Sequence, residues 1–270
     1  MYNVFKTCFL LVALLGCGEN MDGQIPSTSK ELELPPKENL WIFVMAGQSN
    51  MAGRAIIEVK DKLPNNRILT INSENKIVVA KEPLHFYEPS GAGLDCGVSF
   101  GTEMLENISN NISILLIPTA VGGSSIEQWI NSETHRGVSL LNHFTQRLKA
   151  TQNSGVLKGI LWHQGEADAH SETKIAAYQQ NLKILFKKFR TIAGNTSLPI
   201  VAGKLGSYSD NQVSWDKINE SIVAYSLSDE FCTVVETSDF EDKGDKVHFN
   251  SGAQRMLGIR YAEAMLKLME

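Results

Sequence analysis

The sequence holds no C-x-x-C pair and only four cysteines in 270 residues. It therefore lacks the spaced thiol and imidazole set that a structural zinc site needs, and it is too poor in cysteine for a disulfide scaffold. Nor is there a basic excess: 25 Lys and Arg stand against 30 Asp and Glu, a formal net charge of -5. That balance gives no electrostatic footprint for nucleic acid, whose phosphates want clustered Lys and Arg. No apolar run is long enough to span a bilayer as a permanent helix; the run from Cys8 to Leu15, behind Lys6, is too short for that and suits a signal peptide. With 43% hydrophobic and 20% charged residues, what remains is enough for one ordinary globular core.

The short run ends in Leu14-Leu15-Gly16-Cys17, which resembles a bacterial lipobox. That pattern implies cleavage after residue 16, lipidation of Cys17 and export. Residues 17 to 39, with Pro26, Pro35 and Pro36 and no sustained apolar period, read as a flexible tether, and residues 40 to 270 as a single catalytic domain. If Cys17 carries lipid, Cys96 and Cys232 remain, either as a disulfide or as two isolated buried thiols.

The rest of the chain is organised around Trp41 to Arg54, WIFVMAGQSNMAGR. Its apolar start reads as a buried strand, and Gly47-Gln48-Ser49-Asn50 turns it sharply into a helix start. A serine at the carboxyl end of such a strand is where an α/β enzyme keeps a nucleophile. Serine attacks poorly unless a base takes its proton and donors receive the oxyanion, so the stretch asks for a histidine and NH groups elsewhere.

Further strands are predicted at Ile68 to Ile71, Ile77 to Val79, Ile112 to Pro118, Val156 to Trp162, Leu198 to Ala202 and Cys232 to Val235. Helical periods fall at Val98 to Ile108, Val138 to Ala150, Lys174 to Ile192 and Asp216 to Tyr225, and a last helix opens with Ser251 and carries Gln254 in a capping-box pattern. This alternation predicts a mainly parallel sheet covered on both faces, with the chemistry at the carboxyl edge of its strands. Four unusual stretches should converge there: Ser49, the loop Ala120 to Ser125, His163-Gln164-Gly165-Glu166, and Asp245-Lys246-Val247-His248. Taken singly each has a plain reading as a turn, a polar loop or a structural histidine. Their order and placement together point to one site.

GQSNMAGR at 47 to 54, GGSSIEQW at 122 to 129, WHQGEADA at 162 to 169 and DKVHFNSGAQRMLGIRYAEAM at 245 to 265 resemble the blocks of the SGNH hydrolases. More narrowly they are similar to the sialate O-acetylesterase domain and to carbohydrate esterase family 6, the acetyl xylan esterases, over about residues 40 to 268. The resemblance implies a flavodoxin-like three-layer α/β/α sandwich and a serine esterase that removes O-acetyl groups from carbohydrate through an acyl-enzyme. It implies Ser49 as nucleophile, His248 as base and acid, and Asp245 as the carboxylate that orients His248. The oxyanion hole would comprise the backbone NH of Ser49, that of Gly123 or Gly122, and the side-chain amide of Gln164, where many SGNH enzymes carry asparagine.

Glu166 is a second carboxylate, read either as a partner of His248 or as a brace for its own loop. Gln48, Asn50, Arg54, Gly122, Trp129 and His163 are candidate substrate contacts, although Arg54 equally suits an ion pair and Trp129 the core. No cofactor or metal ion is implied, and no nucleic acid. The expected partner is an acetylated oligo- or polysaccharide, with the membrane reached only through the lipid anchor. The same fold acting on another acyl ester, or an inactive carbohydrate-binding lipoprotein, are the competing readings.

Overall fold

The computed structural model describes residues 1–2 and 32–270. It divides into two units, Met1–Glu33 and Leu34–Glu270, of which the second is considered below. Cys17, the expected signal peptide and most of the expected tether lie outside the described residues.

Strand β1 (Leu40–Gly47) is buried along its length apart from Trp41. It lies between β4 (Ser113–Pro118) and β7 (Val156–His163), parallel to both. Beyond β4 come β2 (Ile68–Ile71), parallel, and then β3 (Ile77–Val79), which returns antiparallel at the edge. Beyond β7 come β8 (Ile200–Gly203) and β9 (Cys232–Val235), both parallel, giving a 7-stranded sheet in the order β3-β2-β4-β1-β7-β8-β9. A strand buried on both faces is an unbroken apolar run, not an alternation, which is why β1 and β4 were legible as LWIFVMAG and SILLIP.

One face of the sheet is closed by α2 (Gly97–Asn107) and α7 (Ser251–Met269), whose Phe100, Met104, Leu257, Tyr261 and Met265 pack with Phe43, Met45, Leu116 and Leu161. Against the other lie α3 (Ile126–Ile130), α4 (Leu140–Thr151) and α5 (Glu172–Ala193), with α6 (Gln212–Ser226) beside α5. There Trp162 meets Trp129, Phe186 and Phe189 edge-on, with ring centroids 5.7–5.9 Å apart. Side chains of this size, fully buried, contribute most to holding the layers together, about 1.5–3 kcal/mol each. The result is the three-layer α/β/α sandwich with a mainly parallel sheet.

Three local readings need correction or completion. The last helix is capped by Asn250, whose side-chain oxygen accepts from the Ala253 NH at 2.9 Å. Ser251 is already helical and donates its hydroxyl to the Ile56 carbonyl, while Gln254 donates to the Asn50 carbonyl, so the expected Ser251–Gln254 box does not form. A reciprocal box forms instead at Ser125 and Gln128, at the start of α3. A small antiparallel hairpin, β5 (Thr134–His135) and β6 (Val138–Ser139), precedes α4 in a stretch read as loop and helix. Cys96 and Cys232 are separate buried thiols, not a disulfide, and burial pushes both up, Cys232 to about 12.

Candidate active site

At the carboxyl end of β1 the chain passes through Gly47, at φ 140°, where an added Cβ would stand 2.0 Å from the His163 carbonyl oxygen of β7. Only glycine fits that close approach. The Gln48 NH donates to the same carbonyl at 2.9 Å, and Ser49 then opens α1 (Ser49–Ala52).

His248 reaches Ser49 from a turn just before α7. The Asp242 side chain accepts from the NH groups of Gly244 and Lys246, which holds Lys246 at φ 58°. Asp245 Oδ1 then accepts from the NH groups of Val247 and His248, at 3.0 and 2.8 Å, and this aims its other oxygen at the ring. His248 Nδ1 lies 2.7 Å from Asp245 Oδ2, and Nε2 lies 3.0 Å from Ser49 Oγ. Asn50 grips the peptides on either side of His248: its Nδ2 donates to the Val247 carbonyl and its Oδ1 accepts from the Phe249 NH, each at 3.0 Å.

The charges follow from these contacts. Burial acts to raise the Asp245 carboxyl, but the bonds from the His248 ring and from two amides outweigh it and hold it at about 2. For His248 burial dominates and lowers the imidazole below its ordinary value, against the opposing pull of Asp245. A neutral imidazole with Nδ1–H toward the carboxylate leaves Nε2 free to take a proton from Ser49.

After β4, the loop that carries Gly122 and Gly123 runs beside Ser49. The Gly122 NH is held by the Glu88 carboxylate at 2.6 Å, whereas the NH groups of Gly123 and Ser49 have no acceptor among the described residues. Of the two glycines it is therefore Gly123, at φ 73°, that offers a free donor. An open cavity of about 420 Å³ is lined by Gln48, Ser49, Gly122, Gly123 and His248, and by Arg54, Arg136, Glu166 and His170.

Gln164 is not in that lining. It is fully buried, and its amide nitrogen faces three acceptors, Asp168 Oδ2 at 2.6 Å, the Ser124 carbonyl at 3.0 Å and Gln48 Oε1 at 3.1 Å, while its oxygen accepts from the Tyr178 hydroxyl. With two hydrogens and three acceptors it has nothing left for an oxyanion. The expectation of a third donor from this side chain is corrected to that of a brace between loops.

Two candidate contacts are equally withdrawn from the cavity, and Asn50 is occupied by the His248 loop. Trp129 is fully buried, with its indole NH on Ser124 Oγ. His163 is fully buried, donates from Nε2 to the Lys204 carbonyl at 3.0 Å, and is lowered by burial to about 4. Gln48 lines the cavity, but its Oε1 accepts from Gln164 and from the Ala167 NH. Arg54 lines it as well and pairs with Glu88 at 2.6 Å. Glu166 touches the cavity, yet its hydrogen bond is to Asn50 Nδ2, at 2.6 Å, and not to His248; burial raises it to about 7. Glu88, Arg136 and His170 escaped the sequence reading, because single polar residues in loops, or in a short 3-10 turn as His170 is, carry no period and no motif there.

Residues 39–267 match the family described as carbohydrate esterase, sialic acid-specific acetylesterase. A protein of Arabidopsis thaliana named a probable carbohydrate esterase is 30% identical over 251 residues, which cover 86% of this chain and 92% of that one. The solved structure of the Arabidopsis protein superposes with a TM-score of 0.76 at 28% identity, covering 87% of this chain and 100% of that one. The crystal structure of NanS shares the fold, with a TM-score of 0.68 at 16% identity over 87% of this chain and 98% of that one.

Proposed function

The chain belongs to the carbohydrate esterases of the sialic acid-specific acetylesterase family, and on that premise we propose that it cleaves O-acetyl groups from sugars of the sialate or xylan kind through an acyl-enzyme on Ser49. In this reading Ser49 Oγ attacks the acetyl carbonyl as His248 Nε2 takes its proton. Asp245 keeps the imidazole in the required tautomer and stabilises the imidazolium. The NH groups of Ser49 and Gly123 receive the oxyanion. His248 then returns the proton to the departing sugar oxygen, and water repeats the sequence on the acetyl ester.

The observation that carries this reading is the unbroken line from Asp245 through His248 to Ser49, at 2.7 and 3.0 Å, ending in a cavity beside two NH groups that have no acceptor among the described residues. The test is acetate release from a panel of acetylated sialic acids and xylo-oligosaccharides, with an aryl acetate as control. Release from at least one glycan is expected, together with labelling of Ser49 by a fluorophosphonate. Hydrolysis of longer acyl esters with no release from any acetylated sugar would overturn the substrate class; labelling elsewhere would overturn the nucleophile.

From the Leu14 to Cys17 pattern we also infer an exported lipoprotein anchored through Cys17. Changing Cys17→Ser should move the protein from the membrane fraction to the soluble one. Equal solubility of parent and variant would refute the anchor.

A further inference from the structure

One peptide plane decides where the Gly123 NH points, and the residues that grip it lie outside every motif. The carbonyl of Gly122 and the NH of Gly123 belong to the same trans peptide, so they point in opposite directions. His135, from the β5–β6 hairpin, holds that carbonyl through Nε2 at 2.9 Å. The preceding NH, that of Gly122, is held by Glu88 at 2.6 Å. Glu88 is itself fixed from two further sides, by Arg54 Nη2 at 2.6 Å and by Arg136 Nη1. An added Cβ on Gly122 would stand 2.3 Å from Arg54 Nη2 and 2.8 Å from Glu88, so the glycine is what lets this ion cluster close on the backbone.

We propose that Glu88 and His135 are positioning residues that together aim the Gly123 NH into the cavity as an oxyanion donor. Neither lines the cavity beside Ser49. Each acts through the glycine loop: His135 turns the carbonyl away from Ser49, and Glu88 prevents the neighbouring peptide from rotating. The two arginines set the carboxylate in place; burial acts to raise it, but the Gly122 NH first and then the arginines outweigh burial and hold it below its ordinary value.

The inference rests on the esterase reading above, and the parent enzyme separates the two. A parent with no turnover of an aryl acetate sinks that reading and this one with it, whereas an active parent whose variants behave normally sinks this one alone. Glu88→Gln keeps the shape but weakens the grip on Gly122, and His135→Ala frees the carbonyl. Each should lower kcat by about tenfold, short of the 10²–10³ that follows outright loss of an oxyanion donor. KM should stay within about twofold. In His135→Ala the pH midpoint of the rate should not move, because His248 keeps its partners, whereas in Glu88→Gln Arg54 loses its counter-charge and the midpoint should fall.

A boronic acid that forms a tetrahedral adduct on serine should bind about tenfold more weakly to both variants, while KM for the neutral aryl acetate stays within about twofold. A purely structural role would not produce that split. A loss confined to KM, a shifted pH midpoint in His135→Ala, or a kcat within twofold of the parent in both variants overturns the proposal. Should Glu88→Gln fail to fold, His135→Ala, which removes one bond at a half-buried position, carries the test alone.

Discussion

Ser49 stands between two polar layers of opposite character. Behind it, Asn50, His163, Gln164, Glu166 and Asp168 are all less than 5% exposed and are bonded mainly to one another and to backbone. Burial there removes charge instead of pairing it: the Glu166 carboxyl is raised to about 7 and the His163 imidazole lowered to about 4. In front, Asp245 and His248 sit in an exposed turn, 38% and 21% open at the side chain, and keep a full carboxylate against a neutral ring. The same residue types serve the scaffold in one layer and, in the proposed mechanism, proton transfer in the other. What separates them is depth of burial and the partner already present, not their identity.

The strongest way to break that contrast is at Ser49 itself. Ser49→Ala should reduce turnover by about 10⁴ or more and abolish fluorophosphonate labelling, leaving the melting point nearly unchanged, since the hydroxyl's partner is a half-buried ring. Labelling that survives the change would place the nucleophile elsewhere. Next in size is Asp245→Asn, expected to cost about 10²- to 10⁴-fold in turnover, because an amide can present its NH to Nδ1 and favour the wrong tautomer. Substrate affinity and folding should hold, as the residue lies in a surface turn. An Asp245→Asn enzyme of near-normal rate would remove the carboxylate from the mechanism.

The rear layer predicts the reverse pattern. Gln164→Leu leaves Asp168 Oδ2, the Ser124 carbonyl and the Tyr178 hydroxyl each short of one partner, at about 1–3 kcal/mol for a buried group that finds no other. The denaturation midpoint should fall markedly, while the folded fraction should keep a rate above that of Asp245→Asn. If the midpoint held and kcat fell by 10²–10³, Gln164 would be donating directly to the oxyanion, and the division into two layers would fail at that residue.

What the sequence revealed follows the same division. All seven strands of the main sheet were legible, the inner ones because a strand with both faces covered is a continuous apolar run, and the half-buried edge strands β3 and β9 because they are short and rich in β-branched residues. The blocks around Ser49, Gly122, Gln164 and His248 were legible because each sits at a strand end or helix start with glycines or turn residues beside it. The direction of a polar side chain was not. Gln164 and Glu166 read as site residues, and only the packing of Tyr178, Asp168 and Asn50 around them shows that their bonds run behind Ser49. Glu88 and Arg136 lie 48 residues apart in loops without any pattern, so the ion cluster they form with Arg54 exists only in three dimensions.

The finest distinction concerns which ionisation the rate follows, since burial shifts both groups, lowering the His248 imidazole and raising the Glu166 carboxyl to about 7. Protonated His248 cannot accept the serine proton, so the rate must rise with pH through its pKa. Burial sets that pKa below the ordinary histidine value of 6.5, so half-maximal kcat/KM is expected below that pH, with a plateau through neutrality. In Asp245→Asn the opposing pull is lost, and the limb should move to still lower pH, on top of the lower plateau. Glu166, raised to about 7, would give a different signature: if its ionisation drove the rate, the midpoint would lie near 7 and vanish in Glu166→Gln. The geometry favours the first outcome, because the Glu166 hydrogen bond goes to Asn50 while the ring nitrogen of His248 belongs to Asp245. Glu166→Gln, whose amide oxygen can still accept from Asn50, should therefore leave the limb in place and lower the plateau by less than about tenfold, a smaller loss than any triad change.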